Sequence, residues 1–187
     1  MRHKCLLAGL LVGLMAMTGC GYNLDSISEN TMTIKKDGTI VDVSVEDYSD
    51  GNYSMTDLET FITDEITAYN DKNGENCVVM NRLDTDNNIG KLQLTYSGMK
   101  DYNGFNHTDY ELAELSDTTI SGSFISAADG SSVAAADIQE AGLQVLKVCD
   151  AMNIISKKKV LYYNSFVTEQ DGTYIISGEG DAVLILK

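Results

Sequence analysis

Apolar and polar positions follow several distinct periods along this chain, and each period defines an element. In "TIVDVSVEDY", Val41, Val43 and Val45 alternate with Asp42 and Ser44, the two-residue period of a half-buried strand. The preceding "TMTI" reads as its hairpin partner, because Asp37-Gly38 between them supplies the backbone freedom of a tight turn. "SMTDLETFITDEITAYNDKNG" changes to a helical period. Leu58, Phe61, Ile62, Ile66 and Tyr69 fall on one face, as expected of a helix buried along one side. Thr56 with Glu59, or Ser54 with Asp57, fits a capping box, and Asn73-Gly74 is the stop signal.

"CVVMNRL" and "KLQLTY" read as a second strand pair joined across "DTDNNIG", with Leu92, Leu94 and Tyr96 alternating against polar neighbours. "MKDYNGFN" reads as a loop and "DYELAELS" as one or two helical turns. From Thr118 the pattern is mostly strand, with Asp-Gly turns in "SAADGSS" and "TEQDGTY". "GLQVLKV" and "KVLYYNSFV" are rich in strand formers, and "VAAADIQEA" fits a short helix or a loop. "DAVLILK" is apolar enough for a central strand buried on both faces. The lysines of "SKKKV", 156–160, suit a strand end or a guarded edge. This order predicts an α+β fold: a largely antiparallel sheet, one main amphipathic helix and a strand-rich C-terminal half. Residues 31–187 form a single domain on this reading, with a wholly β subdivision from about residue 117 as the alternative.

The N-terminus has its own pattern. Arg2, His3 and Lys4 precede a thirteen-residue apolar run, Cys5 to Met17. That is too short for a helix to cross a ~30 Å hydrocarbon core, which takes about 20 residues. A basic start, a short apolar run and small residues at its end make a secretory signal over residues 1–19. The run stops at Met17-Thr18-Gly19-Cys20. This ending resembles the lipobox of bacterial lipoproteins, a cysteine preceded by small residues, with Met17 where the family usually has Leu. The resemblance implies that the Cys20 thiol carries a diacylglycerol and that cleavage before Cys20 makes it the first mature residue. Two acyl chains give a stable anchor where one gives only reversible binding. The expected location is the outer face of a bacterial cell membrane, with residues 20–30, polar and aperiodic, as a tether reaching about 35 Å. Beyond the lipobox, "KKDGTI", "EITAYN", "DYNGFN" and the closing "VLYYNSF…DGTYIISGEGDAVLILK" resemble short lipoproteins of Gram-positive gut anaerobes, which implies no particular activity.

Charge narrows the partners. All 28 acidic residues lie after Cys20, and Arg2 and Lys4 are the two of 13 basic residues before it, so the 168-residue mature chain carries 11 against 28, a net −17. Such a surface repels nucleic acid and anionic headgroups. It suits solubility at a crowded surface, or binding of divalent cations. Proline and tryptophan are absent, and ten tyrosines are present. Tyr162-Tyr163 within a strand places one ring on each face, one of them expected to be exposed.

Candidates for chemistry are few. His107 is the single histidine of the mature chain and lies in the polar "GFNHTDY", which excludes a multi-histidine zinc site. Cys77 and Cys149 both sit among apolar residues. They form either a disulfide, worth roughly 4 kcal/mol for a loop of that length, or two buried free thiols. In "DTDNNIG", Asp84, Asp86 and Asn88 match positions 1, 3 and 5 of a calcium loop, but Ile89 and Thr95 stand where Gly and Glu belong, so a solvated hairpin turn is expected. No G-x-S-x-G or G-x-x-x-x-G-K-[ST] sequence occurs. No catalytic residue, cofactor or metal is assigned. The chain reads as a lipid-anchored envelope protein with a binding or accessory role toward an unidentified protein, peptide or glycan. The rival reading is an exported enzyme with a carboxylate-based or mixed site.

Overall fold

The computed structural model describes residues 24–49 and 54–187. Among them are two α-helices and 13 strands, an α+β fold with antiparallel pairing dominant. The strands are β1 (Thr31–Ile34), β2 (Ile40–Asp47), β3 (Val78–Asp86), β4 (Ile89–Tyr96), β5 (Glu111–Glu114), β6 (Ser123–Ser126), β7 (Ser132–Ala134), β8 (Gln144–Val148), β9 (Met152–Ser156), β10 (Val160–Tyr163), β11 (Val167–Gln170), β12 (Thr173–Ile176) and β13 (Ala182–Leu186). The helices are α1 (Met55–Asn73), between β2 and β3, and α2 (Met99–Asn106), between β4 and β5.

The strands form two sheets. The first has seven in the order β11-β12-β9-β1-β2-β4-β3, and the second six in the order β5-β8-β13-β10-β6-β7. β1 with β9 is the parallel pair. Turn chemistry sets the local registers. Asp37 Oδ1 accepts from the Thr39 amide at 3.0 Å, Gly38 takes φ +91°, and Ile34 comes opposite Ile40. "DTDNNIG" folds as a two-residue hairpin at Asn87-Asn88, with φ +50° and +66°, and Asp171-Gly172 makes a second with +51° and +79°. Positive φ at both central residues is the turn whose twist matches that of paired strands.

One face of each sheet contributes to a common core. Met32, Ile34, Ile40, Leu94 and Ile154 from the first sheet join Leu146, Val148, Leu184 and Leu186 from the second in one buried cluster. Each such side chain stabilises by about 1.5–3 kcal/mol relative to exposure. On the opposite face of the second sheet, Phe124, Val145 and Ile185 pack with Ile138 and Leu143 in a smaller cluster. β13 thus lies between β8 and β10 and is buried on both faces, as its composition predicts.

The structure changes several expectations. Residues after 117 do not form a unit of their own: β9, β11 and β12 complete the first sheet, while β5, before 117, belongs to the second. "MKDYNGFN" is a helix, α2, because Met99 and Tyr102 bury in the common core. "ELAE" is a strand, β5, paired with β8 rather than helical. β9, "MNIIS", carries no local pairing signal, since its partner β1 is more than a hundred residues away. The lysine cluster follows an internal strand, so it marks a strand end and not an edge. Capping of α1 uses Ser54, whose Oγ accepts from the Asp57 amide at 3.3 Å. Of its apolar face, Ile62 alone is buried, Ile66 and Tyr69 pack against the core, and Phe61 is 61% exposed.

Candidate functional site

Two regions hold polar groups in arrangements that the hydrophobic pattern alone does not require. The first is the stretch 24–30. The sequence places it in the tether, but it is strapped onto the outer face of the first sheet. Leu24 is 2% exposed and opens a short 3-10 turn over residues 24–26. Its carbonyl accepts from Lys91 Nζ at 3.1 Å. Asn30 Oδ1 accepts from the Val45 amide at 2.8 Å, and the Asn30 carbonyl accepts from the Asn153 amide at 2.8 Å. Asn153 Nδ2 donates to Glu29 Oε2 at 3.1 Å, while Asn153 Oδ1 is buried without a partner. Leu92 and Leu94 point into the core, so Lys91 stands on the opposite face of β4, the face that the strap crosses. On that face Thr31, Thr33, Val41 and Val43 are all buried. Cys20 lies outside the described residues.

The second region is a carboxylate among tyrosines in the core. Asp42 alternates with Val41 and Val43 in the sequence, but both faces of β2 are covered here, so Asp42 is 8% exposed. It lies opposite Met32 and Leu94 and accepts one bond, from Ser44 Oγ at 3.0 Å. Burial pushes its carboxyl up to about 6, against the pull of the Ser44 hydroxyl. Tyr96 meets Tyr102 edge-on at 5.0 Å, and Tyr102 stacks on Tyr110 at 5.7 Å. Burial first, and then the Asp42 charge, raise the hydroxyls of Tyr96 and Tyr102, while Tyr110 is raised by burial and by its bond to Asp150. Asn103 fixes the turn that follows α2. Its Nδ2 donates to the Tyr110 carbonyl at 2.7 Å and its Oδ1 accepts from the Tyr110 amide at 3.1 Å.

At the other end of α2, Asp101 is buried and accepts from Tyr69 Oη at 3.2 Å and from Ser97 Oγ. Gly104 permits this approach, because a Cβ there would lie 2.4 Å from Tyr69 Oη. Asn70 ties α1 to β3 through both amide atoms, accepting from the Val78 amide at 2.9 Å and donating to its carbonyl at 2.8 Å.

The remaining sequence candidates are dispersed. Cys77, half-buried, and Cys149, exposed, are free thiols; the bridge weighed for them is not formed, and Cys149 is not in an apolar interior. Burial and then Asp101 raise the Cys77 thiol, and burial and then Asp150 raise that of Cys149, so both stay protonated at neutral pH and are weak nucleophiles. His107 is exposed and takes φ +58° at the end of α2. Asp84 of the hairpin pairs with Arg82. Among the described residues no three His, Cys, Asp or Glu side chains are grouped so as to hold a metal ion. Tyr163 packs in the main cluster against Tyr174 at 5.8 Å and Tyr162 in the smaller one, so neither ring forms the exposed face expected from the sequence.

A surface hollow of about 300 Å³ lies between Glu114–Ser116 and residues 138–143, and a smaller one of about 130 Å³ beside Tyr162. Neither is lined by Asp42, whose charge is enclosed by the core. Neither the strap nor Asp42 is legible as special in the sequence. Asn30 and Asn153 are ordinary polar residues until the parallel pairing of β1 with β9 brings them together. No protein-family model matches the chain, and no curated protein or solved structure matches it.

Proposed function

We propose that this chain is a lipoprotein of a bacterial envelope, held at the outer face of the cell membrane by a diacylglyceryl thioether at Cys20, with a binding or structural, accessory role there. The observation that carries the reading is the leader: three basic or titratable residues, thirteen apolar ones, and a stop at Met17-Thr18-Gly19-Cys20. A further observation supports it. The mature net charge of −17 keeps the domain soluble at a crowded surface and away from nucleic acid. No helix among the described residues is long and apolar enough to cross a membrane.

The test is cell fractionation of full-length wild type and Cys20→Ala. Wild type is expected in the membrane pellet and resistant to extraction by high salt. Cys20→Ala is expected either in the soluble fraction or as the unprocessed precursor. Recovery of Cys20→Ala in the membrane in mature form would contradict the proposal.

A further inference from the structure

We infer that the outer face of the first sheet, the face under the strap, is held against the lipid headgroups, and that the layer formed by residues 138–143 points away from the membrane. This rests on the anchor proposed at Cys20 and adds the orientation of the domain upon it. The leash is short. Four Cα–Cα steps separate Cys20 from Leu24, and four steps span at most about 14 Å whatever their conformation. A domain of this size has a radius of gyration of about 15 Å, and is about 40 Å across if taken as a sphere. The leash is about a third of that width, so only the surface around Leu24 reaches the headgroups.

Leu24, where the leash meets the domain, sits on one side of the layers. Lys91 Nζ holds its carbonyl on the outer face of β4, and Asn30 is fixed to both Val45 and Asn153. The layers then run in order: strap, first sheet, common core, second sheet, and the smaller cluster of Ile138 and Leu143. Packed sheets lie about 10 Å apart, so the strap and the 138–143 layer are on opposite sides of the molecule. The hollow of about 300 Å³ belongs to the far layer and is therefore presented outward. Charge does not oppose this placement with an attraction of its own. At −17 the domain has no electrostatic attraction to an anionic leaflet, so its orientation is imposed by the leash and not by affinity for headgroups. If the strap were free, the leash would lengthen to residues 20–30, about 35 Å, and the domain would be able to roll.

The experiment uses the processed, lipid-bearing full-length protein with Cys77→Ala and Cys149→Ala, in vesicles of phosphatidylcholine and phosphatidylglycerol carrying a headgroup-attached quencher. A fluorophore is placed in separate samples at Ser28→Cys in the strap, at Asp86→Cys on the neighbouring hairpin, or at Ala141→Cys in the far layer. All three native residues are exposed. Quenching is expected to be several-fold stronger at 28 and 86 than at 141. Inserting twenty Gly and Ser residues between Asn23 and Leu24 is expected to bring the three within about twofold of one another. Intact mass is measured on each sample. Equal quenching at the three sites without the insertion, with Cys20 acylated, would overturn the orientation alone. An unmodified Cys20 would overturn the anchor and the orientation with it.

Discussion

Asp42 is the residue whose chemistry departs furthest from its setting. A carboxyl with an ordinary value of 3.8 in the unfolded chain is pushed up to about 6 in the fold. The folded state therefore holds the proton more tightly than the unfolded state does, and ionising Asp42 costs stability. The cost is absent below about pH 4, grows as pH rises to about 6, and is complete above that. The difference corresponds to about 3 kcal/mol as an upper bound. Asp42→Asn keeps an acceptor for Ser44 Oγ and removes the charge. It is expected to stabilise the protein by about 2–3 kcal/mol at pH 8 and by little at pH 4, as read by denaturant unfolding at both pH values. Equal effects at both pH values, or destabilisation at pH 8, would contradict this account of the buried carboxylate.

Helix α1 makes a corresponding case at the scale of an element. Its apolar stripe spans the full helix, but the core is met through Ile62, Ile66, Tyr69 and Asn70, and Phe61 stays 61% exposed. Ile62→Ala is expected to cost about 2 kcal/mol and Phe61→Ala no more than about 0.5 kcal/mol, compared by urea denaturation. A larger loss from Phe61→Ala than from Ile62→Ala would show that the helix packs through its other edge. What the sequence reveals of the elements follows from how local their causes are. The hairpins at Asp37-Gly38 and Asp171-Gly172 and the caps of α1 are set by neighbouring residues, and they are legible. α2 is not, because eight residues with two Asn and a Gly form a helix only when the core claims Met99 and Tyr102. β5 and β9 are set by partners that are not their sequence neighbours, β8 for the one and β1 and β12 for the other, which overrides the helical composition of "ELAE" and the featureless "MNIIS". Asp42 is misread for a related reason: alternation shows that one face of β2 is apolar, but not that the strap side and the core side are both covered.

The described residues share one core because the chain crosses between the two sheets repeatedly. β9, β11 and β12 are three of the seven strands of the first sheet, and the main cluster draws on both sheets. A fragment of residues 24–117 would lack β9, the parallel neighbour of β1, and the whole of β8, β10 and β13. It is expected to be unfolded by circular dichroism, whereas residues 24–187 are expected to unfold in a single cooperative transition. A folded 24–117 fragment would contradict the shared core. The candidate site divides in the same way. The anchor proposed at Cys20 rests on a local pattern, the leader-like run of residues 1–20, and so is legible. The strap depends on Lys91, Asn30 and Asn153 meeting through the tertiary fold, and so is not.

The claim on which the account turns is the lipid at Cys20, and intact mass spectrometry of the protein extracted from membranes tests it most directly. The account predicts a mature chain whose first residue is Cys20, heavier than its amino-acid sequence by a diacylglyceryl group, with or without a further acyl chain on the new amino terminus. A mature chain beginning at any other residue, or one beginning at Cys20 with an unmodified thiol, would contradict it.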